Sequence, residues 1–287
     1  MVCSCHGREE DAGAVPAAHA GPVLVVTGSP LHREMVMDKT VEASSNIVGP
    51  RTPAWREFHR TTEWSREDLR LRMESAHQGK ESSDFRFPRK VYSRFPRLNL
   101  GGRSQERPLR AASVRAFDRR AIHIDSLMSV FEALLIGDAG VEQRMLYPSA
   151  GGLYSLEWYA VAQHVTGMRH GLYHLLPEQR AFEYLWPEDR DQMLGAFQGQ
   201  EWALSAPLLL VVTASMRPYQ HRYGERGYRF ALLEAGHAIQ EVLTSSQRVE
   251  LSTCVVGGFS DADLSAVLGL RETDDEVPIS AVAIGAA

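Results

Sequence analysis

Residues 147–154 read YPSAGGLY, a segment with little side chain to cover its backbone. Pro148 restrains its own φ, and Ser149 can cap or turn. Ala150, Gly151 and Gly152 leave the peptide groups bare. A bare backbone lets a large flat ligand come close and bond to N–H and C=O groups. A plain loop between two elements would have the same composition. Residues 255–259, VVGGF, put Gly257 and Gly258 at the end of an apolar run and again permit close approach. Many strands end in this way without a ligand.

Cations crowd residues 221–237, HRYGERGYRFALLEAGH, at the entry to a long helical pattern. Tyr223 follows Arg222, and a cation beside a phenol favours the phenolate. Tyr223 is therefore a candidate general acid or base, and His221 is a second. The alternative is a capped helix start in which Glu225 and Glu234 pair locally, with His237 structural. Residues 110–115, RAASVR, bring Arg110, Ser113 and Arg115 close enough to hold a phosphate, although such triplets arise by chance. The tail pattern C-x-C-H at Cys3, Cys5 and His6 lacks a fourth ligand, and no metal is expected there. Cys254 reads as a small core residue.

The elements that must position these groups follow from periodicity. Helical spacing predicts a helix over 126–136, with Asp125 or Ser126 as cap. Further helices are expected over 65–76, 187–197, 227–248 and 261–268, the last stopped by Gly269. In 227–248 the apolar stripe is read as Tyr228, Leu232, Ala235, Ile239 and Val242. Strands are expected over 22–27, 156–163, 171–176, 182–186, 207–214, 252–256 and 278–284. The run at 207–214 is apolar enough to be buried on both faces. Interleaved helices and strands argue for a sheet with helices packed on it.

Composition sets the outer bounds. The net charge of −5, from 31 Lys and Arg against 36 Asp and Glu, gives no global basic field for nucleic acid. A local basic stretch over 86–120 faces only Glu106 and Asp118; it reads as a solvated arm or as an anion site. The longest apolar run, 206–214, is far short of the roughly 20 residues that span a bilayer. No secretory h-region opens the chain, so a cytoplasmic location is expected. Residues 1–45 are expected to be largely disordered, 46–109 to form an extension, and 110–287 to form the main domain.

Taken in order, the motifs resemble the SagB-type, or McbC-like, azoline dehydrogenase branch of the nitroreductase superfamily. The resemblance rests on SVR at 113–115, PSAGGLYSLEWY at 148–159 and GLYHLLP at 171–177. It continues through RYGERGYRFALLEAGH at 222–237 and GGFSDADLSAVLGL at 257–270. AWREFHRTT at 54–62 resembles that branch's N-terminal extension. The resemblance implies an α+β fold with a central mixed sheet flanked by helices, and FMN held at a homodimer interface. It also implies oxidation of thiazoline or oxazoline rings to azoles on a peptide or a carrier-bound intermediate, with a cyclodehydratase as possible partner. In such a reaction the ring carbon loses a proton to a base and a hydride to the flavin N5. Other FMN-dependent peptide desaturation, NAD(P)H-driven nitro or quinone reduction, and an inactive scaffold subunit are the alternatives.

Carried over by residue, Ser113 and Arg115 would bind the FMN phosphate or ribityl chain, with Arg110 standing one step from the family's arginine. Pro148, Ser149, Ala150, Gly151 and Gly152 would lie against the isoalloxazine. Gly257 and Gly258 would line its other edge, and Tyr223 would be one of the paired catalytic residues. Arg222 stands where the family carries Lys. Arginine keeps its proton at working pH, which leaves Tyr223 as the favoured base.

Overall fold

Among the described residues a six-stranded sheet runs in the order Ala181–Trp186, Gly171–Leu176, Leu156–Ala162, Leu208–Ser215, Glu276–Gly285 and Ser252–Val256. The computed structural model describes residues 52–68, 70, 71, 74, 111–118, 120–135 and 144–286. The expectations for residues 1–45, including the strand at 22–27 and Cys3, Cys5 and His6, lie outside the described residues. So do Arg110 and most of the basic stretch. Described residues between 66 and 74 are helical, in line with the helix expected there.

The strands are β2 (Leu156–Ala162), β4 (Gly171–Leu176), β5 (Ala181–Trp186), β6 (Leu208–Ser215), β7 (Ser252–Val256) and β8 (Glu276–Gly285). Every ladder in this sheet is antiparallel. Parallel pairing occurs in a separate two-stranded sheet of β1 (Ile122–His123) and β3 (Val165–Thr166). The central sheet, expected to be mixed, is thus antiparallel throughout. Short hairpin connections favour antiparallel neighbours, and β4 follows β2 and precedes β5 in this way.

Seven residues of the central strand β6, Leu208 to Ala214, are 0% exposed, as its unbroken apolar run predicts. Alternation splits the sheet between two cores. Trp158, Ala160, Leu210 and Val212 face helices α2 (Ile124–Glu132) and α6 (Gly227–Arg248). Tyr159, Val161, Leu209 and Val211 face α3 (Arg190–Ala196), α4 (Glu201–Ser205) and α7 (Asp261–Leu268). Each large side chain buried in these layers contributes about 1.5–3 kcal/mol of transfer free energy.

Several local expectations are corrected. Helix α2 begins at Ile124 because His123 caps it, its Nδ1 accepting from the Asp125 N–H at 3.3 Å. Helix α3 starts at Arg190 because the Asp189 carboxylate accepts from the N–H groups of Asp191 and Gln192, both at 3.1 Å. Along α6 the buried stripe runs through Tyr228, Ala231, Ala235, Ala238 and Val242, whereas Leu232 is 39% exposed. Cys254 is buried, as expected. Three more helices among the described residues escaped the periodicity: α1 (Ala54–Thr62), the short α4 and α5 (Met216–Tyr223). Helix α5 carries Pro218 in its first turn, where the missing N–H costs nothing.

His174 sits on β4 between two carboxylates, with Nε2 3.0 Å from Glu157 and Nδ1 2.9 Å from Glu183. Its bond to Glu157 is the main cause that raises its pKa from 6.5 to about 8. A raised pKa makes the protonated ring the stabilising form. That stability is complete below pH 6.5 and is lost as pH rises through about 8. Glu183 is half-exposed, so the expected contribution is only about 1 kcal/mol. Urea unfolding at a series of pH values should show wild type losing that increment across this window, and His174→Gln should remove the loss.

Candidate functional site

The bare segment 147–154 begins with a buried tyrosine and ends where β2 starts. Tyr147 is 3% exposed, while Gly151 and Gly152 are exposed. Ala150–Gly152 form one 3₁₀ turn, and both glycines have φ of +64°. The left-handed conformation there suits glycine and strains other residues. Ser149 organises the turn. Its Oγ accepts from the Tyr154 N–H at 2.9 Å, its carbonyl accepts from the Gly152 N–H at 3.1 Å, and its hydroxyl donates to Glu234.

Helix α5 brings the cationic pair to this turn. It ends at Tyr223, and Gly224, with φ of +56°, turns the chain into a 3₁₀ turn, Gly224–Arg226, that feeds α6. His221, Arg222 and Tyr223, read from sequence as the entry to α6, form the last turn of a separate helix of their own. Arg222 donates to the Gly151 carbonyl at 3.3 Å, and its guanidinium lies 5.8 Å from the Tyr223 ring centroid. A Cβ on Gly151 would stand 2.4 Å from the Tyr223 hydroxyl and 2.9 Å from Arg222 Cζ. Phe230 holds the Tyr223 ring edge-on at 4.8 Å. The fold therefore gathers Gly151, Arg222 and Tyr223 at one place. His221 stands exposed on the same turn.

The phosphate candidates lie elsewhere in the chain. Residues 111–118 run beside the edge strand β7, with the Val114 N–H donating to the Thr253 carbonyl at 3.1 Å. Ser113 and Arg115 are exposed, and the Arg115 guanidinium lies 5.4 Å from the Trp202 ring centroid. The Ala111 N–H donates to Gln247 at 3.4 Å. Ser149 bonds to Glu234 on the same helix α6, and the two anchor points are separated by about 20 Å at 1.5 Å per residue. Gly257 and Gly258 follow β7, and the Gly258 carbonyl accepts from Gln200. They sit three strand positions from β2, or roughly 14 Å across the sheet. One chain thus presents two separate surfaces, and the four motifs do not converge on a single wall.

The residue types on both surfaces fit a flat, phosphate-bearing cofactor. A Cβ at Gly152 or Gly257 would meet nothing within 4 Å, so bare peptide faces open space at both. Arg115 and Ser113 supply charge and a hydroxyl about 13 Å along the β7 edge from Gly257.

A cleft of about 320 Å³ lies between α1 and α7, lined in part by Arg56, His59, Asp261, Arg271, Asp275 and Glu276. Burial lowers the pKa of His59, and burial raises those of Asp261 and Glu276. His59 Nδ1 lies 3.1 Å from the Tyr228 hydroxyl, and Arg56 pairs with Asp275. Sequence reasoning missed this cleft because its walls come from segments about 200 residues apart. No helix among the described residues is long and apolar enough to cross a membrane.

The sequence model of the nitroreductase family matches residues 110–286. The chain belongs to the nitroreductase family. Among curated proteins it is similar to a Methanocaldococcus jannaschii protein designated a nitroreductase, at 32% identity over 44% of this chain and 64% of that protein. It is also similar to the microcin B17-processing protein McbC of Escherichia coli, at 26% identity over 45% of this chain and 50% of McbC. The matched region thus spans less than two thirds of each relative's length. Among solved structures, the nitroreductase fold is shared with a chain of the E. coli microcin synthetase McbBCD complex, solved with truncated pro-MccB17 bound. That match has a TM-score of 0.60 and 19% identity, covering 80% of this chain and 97% of that one. The nitroreductase sheet flanked by helices and the McbC-like motif order agree with the expectation from sequence.

Proposed function

We propose that this nitroreductase-family chain acts as an FMN-dependent azoline dehydrogenase. It would oxidise thiazoline or oxazoline rings, on a peptide or a carrier-bound intermediate, to thiazoles or oxazoles. The observation that carries this reading is the placement of Arg222 and Tyr223 against Gly151, in a chain 26% identical to McbC over 137 residues.

FMN supplies the two-electron acceptor, and the protein supplies orientation and the base. Ser113 and Arg115 would hold the phosphate end, and Gly257 and Gly258 would border the ring system. The separation of these residues from 148–152 within one chain supports a homodimer in which the second copy's 148–152 turn closes the site. The exposed Leu232 and Leu233 on α6, at 39% and 59%, give that dimer apolar surface to bury. Tyr223 would take the proton from the azoline ring carbon. Arg222 would hold the Gly151 carbonyl, since it cannot accept a proton itself. The product ring would be aromatic and two hydrogens lighter than the substrate, with dioxygen as the terminal oxidant. A cyclodehydratase that forms the azoline ring is the natural partner.

Purified protein should be yellow, with flavin absorbance near ~450 nm. Incubation with an azoline-containing peptide should remove two hydrogens, read by mass spectrometry. An unchanged peptide mass together with rapid NADPH oxidation would replace this reading with nitro or quinone reduction. A colourless protein that takes up no added FMN would favour a scaffold subunit.

A further inference from the structure

We infer that Glu234 is a positioning residue that fixes the 148–152 turn from inside the protein. The inference rests on the reading that this turn faces FMN. Glu234 is 1% exposed, although it sits in the LLEAGH sequence beside two leucines that are exposed. One carboxylate oxygen, Oε2, accepts from two hydroxyls: Tyr219 at 2.5 Å, and Ser149. Tyr219 is 0% exposed and belongs to α5, the helix that carries Arg222 and Tyr223. Ser149 belongs to the turn. A single buried atom thus joins α6, α5 and the turn.

The consequence is geometric. Ser149 Oγ both donates to Glu234 and accepts from the Tyr154 N–H, so its rotamer is set at both ends. That pins Ala150–Gly152 between two fixed points, with the Gly151 carbonyl towards Arg222. Tyr147 lies on the other side of Pro148. Burial raises its pKa, and the nearby Glu234 charge raises it further. The carboxyl group therefore faces the chain on both sides of Pro148. Its own pKa is raised, by burial foremost, while the bonds from Ser149 and Tyr219 oppose the rise. Burying such a group costs free energy that an apolar residue would avoid. Its place is explained by what it holds.

An acceptor is what the geometry requires at Oε2, and a glutamine Oε1 can fill that position. Glu234→Leu removes the acceptor and Glu234→Gln keeps it. Two readouts apply: hydrogen exchange of the Tyr154 amide in flavin-free protein, and the dissociation constant for added FMN. Glu234→Leu is expected to speed Tyr154 exchange and weaken FMN by about tenfold or more each, the effect of a lost hydrogen bond to a charged acceptor. Glu234→Gln is expected to stay within about threefold of wild type in both. Wild-type values in Glu234→Leu, or a Glu234→Gln protein as impaired as the leucine variant, would overturn the proposal. If Glu234→Leu does not fold, Ser149→Ala decides: the same loss is expected, and unchanged Tyr154 exchange would overturn the inference. A wild-type protein that binds no FMN would remove the cofactor reading, while the exchange measurement would still decide the role of Glu234.

Discussion

Tyr223→Phe is expected to slow azoline oxidation by about 10²–10⁴-fold while the protein stays yellow. The variant removes one oxygen atom from a side chain whose ring is held by Phe230 and by the Arg222 guanidinium. Neither contact uses the hydroxyl, so the ring should stay in place. FMN binding should be unchanged, because the groups proposed for its phosphate end lie on the β7 edge. The assay is single-turnover conversion of an azoline peptide under air, followed by mass, with flavin content measured on the same sample. Activity within a few-fold of wild type would remove Tyr223 as the base and move the question to His221, exposed on the same turn. Arg222→Ala should give a smaller loss, because the proposed base survives while the contacts of Arg222 with the Gly151 carbonyl and the Tyr223 ring do not.

The second large effect is expected at Gly151, and it tests the same atom from the opposite side. A methyl group there would stand 2.4 Å from the Tyr223 hydroxyl, so one of the two must move. The positive φ adds about 1–2 kcal/mol of backbone strain for any L side chain. Gly151→Ala should therefore lower turnover by about 100-fold or more, as small displacements of a catalytic group do. The Gly151→Ala/Tyr223→Phe double variant gives the sharper measurement. It lacks the hydroxyl that the methyl would strike but keeps the Arg222 contact at 2.9 Å and the strained φ, so its loss should be smaller than the product of the two single losses. Additive losses in that cycle would mean that Gly151 acts on something other than Tyr223.

Much of this architecture was legible before any coordinates. The apolar run of β6, the full span of α6 and the glycine stop of α7 all follow from local pattern, because each is a long or strongly punctuated signal. Helix α5 was not legible, since Pro218 reads as a breaker unless the helix start is already known. The cap at His123 was missed because histidine seldom serves there, and only the free ring nitrogen reveals it. In the site, Gly151 and the neighbours Arg222 and Tyr223 were named from residue type before the resemblance added their roles, but their contact depends on α5. Glu225 and Glu234 were both read as pairing locally at the cation-rich helix start. In fact Glu225 accepts from the Trp55 N–H at 2.7 Å, far along the chain. One signal was available: Glu234 falls three residues after Ala231 and four before Ala238, both 0% exposed. The apolar neighbours Leu232 and Leu233 drew attention to the wrong side of the helix.

The segment that carries Ser113 and Arg115 has a second consequence. Val114 bonds to Thr253, the Asp118 N–H donates to the Ala286 carbonyl at 2.8 Å, and Phe117 packs where a Cβ on Gly285 would stand. The strap therefore lies along the free margin of the sheet, occupying backbone groups that would otherwise template a foreign strand. Val255, 39% exposed, is part of that margin. A chain shortened through this strap would lose more than a place for an anion. It would bare a sticky border, open to strand addition by a second chain.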